Sequence, residues 1–96
     1  MDVHEVHRLV QGGQVTKAPN YHPGKRGIGF VQILAALERC YHVDRDARTT
    51  SAGSPLHPHG WYALANLPNR RRLRVDFDVS EDESGNLLLI VTAYDV

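Results

Sequence analysis

Arg72-Leu73-Arg74-Val75-Asp76-Phe77-Asp78-Val79 alternates charged and apolar side chains without a break. Successive side chains on an extended strand point to opposite faces of the sheet. Leu73, Val75, Phe77 and Val79 therefore share one face, and Arg72, Arg74, Asp76 and Asp78 share the other. Working outward, residues 61–67 and 87–94 read as further strands, so residues 60–96 form a three-stranded antiparallel meander with a charged middle strand. Pro68-Asn69 suits the centre of a type I turn, because proline presets the first central angle and asparagine tolerates the second. Residues 81–86, with Gly85, make the looser second turn. Leu87-Leu88-Leu89-Ile90-Val91 is apolar on both faces, which predicts an interior strand or one covered on both sides.

Upstream, the period changes from two to 3.6. Residues 2–10 read as a helix that Asp2 caps, with Glu5 three places on completing a box-like start. Val3, Val6, His7 and Val10 share one face, with Leu9 at its margin; His4, Arg8 and Gln11 share a neighbouring one. Gly12-Gly13 ends this helix, and residues 14–17 have room for a short strand. Residues 18–29, punctuated by Pro19, Pro23, Gly24, Gly27 and Gly29, form a loop that carries Tyr21, His22, Lys25 and Arg26. A second helix over 28–40 presents a wide apolar stripe of Phe30, Ile33, Leu34, Leu37, Cys40 and Tyr41. Residues 41–48 have the makings of a strand, and 49–60 are a loop rich in Ser, Pro and His. The expectation is one α+β domain over 1–96: two N-terminal helices packed on a three- to four-stranded antiparallel sheet. Its core should hold Val6, Leu9, Phe30, Ile33, Leu34, Leu37, Trp61, Leu73, Val75, Phe77, Leu89 and Val91.

With 96 residues there is room for one core. A single cysteine excludes an internal disulfide and suits a reducing, cytoplasmic setting. No apolar run is long enough to span a bilayer, so no membrane association is expected. Eleven basic residues cancel eleven acidic ones, which counts against a strongly basic nucleic-acid binder. The charge is uneven, however: Arg70, Arg71, Arg72 and Arg74 cluster at one end of the middle strand, and Glu81, Asp82 and Glu83 follow its other end.

Four groups of residues invite a chemical reading. His4 and Arg8, on one helical face, pair a group that moves protons near neutrality with one that grips a phosphate at two points; the plainer reading is a solvated helix face. Lys25 and Arg26 stand in a glycine-rich loop before a helix N-terminus, which favours anions; the Gly-x4-Gly-Lys spacing of a phosphate loop is absent. Cys40, His42, His57 and His59 suggest zinc, since residues two apart on a strand point the same way. Cys40 continues the apolar stripe, however, and His57-Pro58-His59 lacks a partner at any standard spacing, so no metal or cofactor is expected. Arg72, Arg74, Asp76 and Asp78, with Tyr94 on the adjacent strand, would suit transition-state charge and proton transfer; the plainer reading is a ladder of ion pairs on a wet sheet face.

A helix bearing His-x3-Arg (His4, Arg8), an apolar second helix and a C-terminal meander closing on Leu-Leu-Leu-Ile-Val-Thr-Ala-Tyr together resemble a group of small bacterial domains. These are similar to the RelE/BrnT-like ribonuclease toxins, compact α+β proteins with helices on a curved antiparallel sheet. The resemblance implies metal-independent RNA cleavage with the 2′-hydroxyl as internal nucleophile, in a bacterial toxin–antitoxin module. It places His4, Arg8 and Tyr94 on matching positions. Arg74 joins them as a catalytic candidate, and Lys25, Arg26 and Arg72 as substrate-binding ones, from the residues themselves. The implied partners are RNA and an acidic antitoxin. The alternative is a non-enzymatic binding or interaction domain, such as a homodimer pairing exposed strand edges.

Overall fold

Asp2 accepts a hydrogen bond from the Glu5 amide at 2.9 Å, and helix α1 (Val3–Gln11) starts there. The computed structural model describes residues 1–24, 27–82 and 85–96. After α1 come β1 (Val15–Lys17), α2 (Phe30–Glu38), β2 (Cys40–Arg45), β3 (Trp61–Leu67), a single 3-10 turn (Pro68–Arg70), β4 (Arg71–Asp82) and β5 (Gly85–Asp95). No helix of the described residues is long and apolar enough to cross a membrane.

The α+β expectation holds, but the sheet differs from the expected three or four antiparallel strands. It has five, in the order β1-β5-β4-β3-β2, and β1 pairs with β5 in parallel. Both short segments that the sequence left as optional strands pair with the meander. β1 leaves α1 after Gly12-Gly13 and joins the sheet where the Gln14 carbonyl accepts from the Leu88 amide at 3.0 Å. The meander keeps its expected order, with β4 inside the sheet between β3 and β5, but β4 runs to Asp82 and β5 starts at Gly85, so residues 81, 82, 85 and 86, expected in a loose turn, pair in the ladder.

The apolar side of β4 faces the helices. Leu73, Val75 and Phe77 are buried with Val6, Leu9, Ile33, Ala36 and Leu37 in one core. Burying each such side chain stabilises the fold by about 1.5–3 kcal/mol. Two side-chain contacts orient α1: His7 Nε2 lies 3.0 Å from the Cys40 carbonyl, and Asn86 Nδ2 donates to Glu5 Oε1 at 2.7 Å. Phe30 and Trp61 pack at the edge of the core and Leu34 is half-buried.

One core assignment is corrected. On β5 the sequence reading chose Leu89, whereas Leu88 and Ile90 are the fully buried residues. They stand opposite Val79 and Phe77. An apolar run on both faces carries no phase of its own, so the partner strand sets it.

Candidate functional site

The other face of β4 bears Arg74, Asp76 and Asp78, and residues 46–60 fold back over it. The Asp46 amide donates to the Gly60 carbonyl at 2.9 Å, continuing the β2–β3 ladder. Residues 48–56 then form a small hairpin: Thr49 bridges Pro55, and the Leu56 amide donates to the Arg48 carbonyl at 3.0 Å. The chain turns back at Gly60, where a Cβ would run into the His57 ring. This excursion lays Asp46, Arg48 and His57 on the charged rungs of β4.

The result is a closed ionic network. Asp46, whose side chain has 0% exposure, accepts from Arg48 Nε at 2.9 Å, from Arg48 Nη2 at 2.7 Å and from the Arg48 amide at 3.1 Å. Arg48 Nη2 also donates to Asp76 Oδ2 at 3.1 Å, and Arg74 Nε donates to Asp76 Oδ1 at 2.8 Å. Arg74 Nη2 is shielded from solvent and sits 3.4 Å from Asp46 Oδ1, out of line for a hydrogen bond, so that contact is ionic only. The Arg74 guanidinium also lies over the Tyr62 ring, 4.1 Å from its centroid. His57 is held between two carboxylates, with Nε2 2.6 Å from Asp78 Oδ1 and Nδ1 3.3 Å from Asp46 Oδ2.

Pairing explains how the buried members of this network, Asp46 and Asp76, are tolerated out of water. Three carboxylates meet two guanidiniums and one imidazole. Ionised groups out of water are tolerated only when paired and hydrogen-bonded. The hydrogen bonds from Arg48 hold the Asp46 carboxyl far below the usual carboxylate range, and the same bonds raise Arg48 further above its ordinary value.

Tyr94 reaches this network because β5 changes phase. Phe77 pairs with Ile90 and Asp76 with Thr92, which leaves Val91 as an extra residue. That bulge swaps the faces of the residues beyond it. Ala93 then points into the core opposite Val75, and Tyr94 stands on the ionic face opposite Arg74. The Val91 carbonyl accepts from the His22 amide at 3.0 Å. Residues 18–24 thus continue the line of β1 as a strap along β5. Gly24 lies so close that a Cβ there would run into the Ala93 carbonyl.

Between strap and hairpin lies a cleft of about 750 Å³. Its floor includes Val91, Thr92, Tyr94, Asp76 and Arg48; its walls include Pro23 and Ile28 on one side and Leu56 and His57 on the other. Arg48 remains 43% exposed, and its Nη1 donates to the Tyr94 hydroxyl at 3.1 Å. Burial, reinforced by the nearby Asp76 carboxylate, raises the Tyr94 pKa above its ordinary value and keeps the phenol protonated.

The residues singled out in the sequence are divided by this architecture. Arg74 and Tyr94 meet on the ionic face. Arg74 is not a free cation: its contacts to Asp76, Asp46 and Tyr62 occupy it. Arg72 is exposed on the same strand. His4 and Arg8 are exposed on α1, with the sheet between them and the cleft, and Arg8 lies 3.8 Å from Glu5. Lys25 and Arg26 lie outside the described residues. The suggested zinc pairing of Cys40 with His42 fails on geometry. Tyr41 is an extra residue in β2, so Cys40 opposes Ala65 on the core face while His42 opposes Leu64 on the other. Burial pushes the Cys40 thiol up to about 11. Among the described residues, no group of three or more His, Cys, Asp or Glu side chains is arranged to hold a metal ion.

The sequence marked neither Arg48 nor Asp46 as a site residue; both fall in the 41–48 segment expected as a strand. Their signal is not periodic: they sit where β2 gives way to a loop, and although they bond each other, their partners on β4 and β5 are 28 or more residues away. No family model matches the chain, nor does any curated protein or solved structure.

Proposed function

We propose that this chain is a binding domain for a small ligand, which occupies the cleft between the strap and the 48–56 hairpin. The observation that carries this reading is the combination of apolar walls with one fixed polar pole. Ile28, Leu56, Pro23 and Val91 offer apolar surface, and Arg48 and Tyr94 offer donors held in place by the buried network behind them. Binding sites of small molecules are concave, mostly apolar, and carry a few convergent polar groups. The test is amide chemical-shift mapping on labelled protein with a fragment set. Shifts gathered on Gly24, Leu56, Val91, Thr92 and Tyr94 are expected. Shifts scattered over the surface sink the reading.

A second reading, metal-independent RNA cleavage, draws on the presence of a guanidinium, an imidazole and a phenol (Arg48, His57 and Tyr94) in one cleft. It would rely on these three rather than on His4 and Arg8, which face away. RNA, and an acidic antitoxin as protein partner, belong to this reading. Incubating purified protein with RNA tests it: cleavage lost in Tyr94→Phe supports it, and intact RNA ends it. RNA binding at two salt concentrations adds a check, since phosphate-driven binding weakens steeply with salt. Homodimer formation through β2, the outer strand of the sheet at that edge, is tested by light scattering.

A further inference from the structure

We infer that the ligand of this cleft is a small organic monocarboxylate, with its carboxylate on Arg48 Nη1 and the Tyr94 hydroxyl and its apolar body between Ile28, Leu56 and Val91. This deepens the binding reading and rests on it.

The donors decide the anion. Arg48 spends Nε and Nη2 on Asp46 and Asp76, and one Nη1 proton on Tyr94. A guanidinium nitrogen of this type carries a second proton. The Tyr94 oxygen accepts from Arg48, while among the described residues its own proton has no acceptor. Two unspent donors therefore stand side by side at the rim of the cleft, their nitrogen and oxygen 3.1 Å apart. A carboxylate accepts from both, one oxygen to each.

Charge decides against a doubly charged group. Asp76 and Asp95 line the same cleft, Asp95 paired with Arg71 at 3.0 Å and Asp76 with Arg48 and Arg74. The positive charge of Arg48 is already shared with Asp46 and Asp76. The pole offers two donors but no positive charge to spare, so a singly charged carboxylate is opposed less than a phosphate dianion, whose second charge would face the same carboxylates.

The body of the ligand is decided by the walls. Leu56 is 57% exposed at the hairpin edge of the cleft, a large apolar side chain left open on the ligand side. Ile28, opposite, is buried and fixed. An aromatic or branched aliphatic group between them removes apolar surface from water at roughly 25 cal/mol per Å².

The experiment compares three probes of one shape by shift mapping and calorimetry: 1-naphthoate, its neutral methyl ester and 1-naphthyl phosphate. Naphthoate is expected to bind at the cleft, with the ester and the phosphate each about tenfold weaker or more, as the loss of a charged hydrogen bond implies. Tyr94→Phe, which keeps the ring, is expected to weaken naphthoate by about fivefold to tenfold and the ester by less. Ester or phosphate binding at the cleft as tightly as naphthoate, or an unaffected Tyr94→Phe variant, overturns the carboxylate assignment while the cleft stands. Failure of all three probes to shift any cleft residue at millimolar concentration overturns the binding reading and this inference with it.

Discussion

The two faces of β4 are built from alternate residues of one strand, yet they are held by different physics. On one face Leu73, Val75 and Phe77 meet both helices in an apolar core. On the other, Arg74 and Asp76 meet a loop that supplies Asp46, Arg48 and His57. The apolar face tolerates imprecision, because burial of hydrocarbon is non-directional. The ionic face does not, because each buried charge depends on a partner at hydrogen-bond distance. The lesson is that a buried ionic face fixes the position of the loop that covers it. Asp46 and His57 tie the loop to β4 through Arg74 and Asp78, and that placement leaves a cleft with a polar rim beside them.

The comparison can be tested from its strongest consequence to its weakest. Phe77→Ala removes the largest fully buried side chain and should cost about 3–5 kcal/mol in urea unfolding. Asp46→Ala should cost about 3 kcal/mol, since it leaves Arg74 and His57 facing an emptied position. A cost below about 0.5 kcal/mol, as is usual for a surface change, would mean that the ionic face is effectively wet.

The same carboxylate gives the ionic face an acid limit. Its folded pKa lies below the unfolded value of about 3.9. Its contribution to stability is therefore complete well above pH 4, and it fades as pH falls below about 4 toward the depressed folded value. Unfolding free energy measured from pH 6 down to pH 2 should fall over that acid range, and the Asp46→Asn variant should lose part of the slope. An unchanged slope would remove Asp46 from the account.

Gly24→Ala brings a methyl against the Ala93 carbonyl and should cost about 1–3 kcal/mol. It should also speed hydrogen exchange at the His22 amide, which the strap holds on Val91. Arg8→Ala, on the exposed face of α1, should change stability by less than about 0.5 kcal/mol. A larger effect would give that helix face a role the fold does not provide.

How much was legible follows from the same contrast. The meander, both helices, the Asp2 cap and the buried row Leu73, Val75 and Phe77 can be read directly, because each is a pattern within a few residues. The phase of β5 cannot, since Leu87 to Val91 is apolar throughout, and the bulge at Val91 depends on β4 and on the His22 amide. Of the cleft, Asp76 and Tyr94 were visible, one on the charged strand and the other on its neighbour. Arg48, which arms the cleft, was not, because nothing near it in the chain marks it as different from any loop arginine.

By itself, then, the order of residues determined which segments are extended or helical and which face of β4 is apolar, since side-chain period and capping act locally. Only the tertiary structure decided that Asp46, Asp76 and Arg74 on the charged face are taken largely out of water, that Tyr94 belongs to that face and that a cleft opens beside it. An arginine or aspartate reads the same in a chain whether water or a buried partner will meet it. The partners of Asp76 and Asp78 arrive from 28 and 21 residues away, through a loop whose course is set by the charges it has to match.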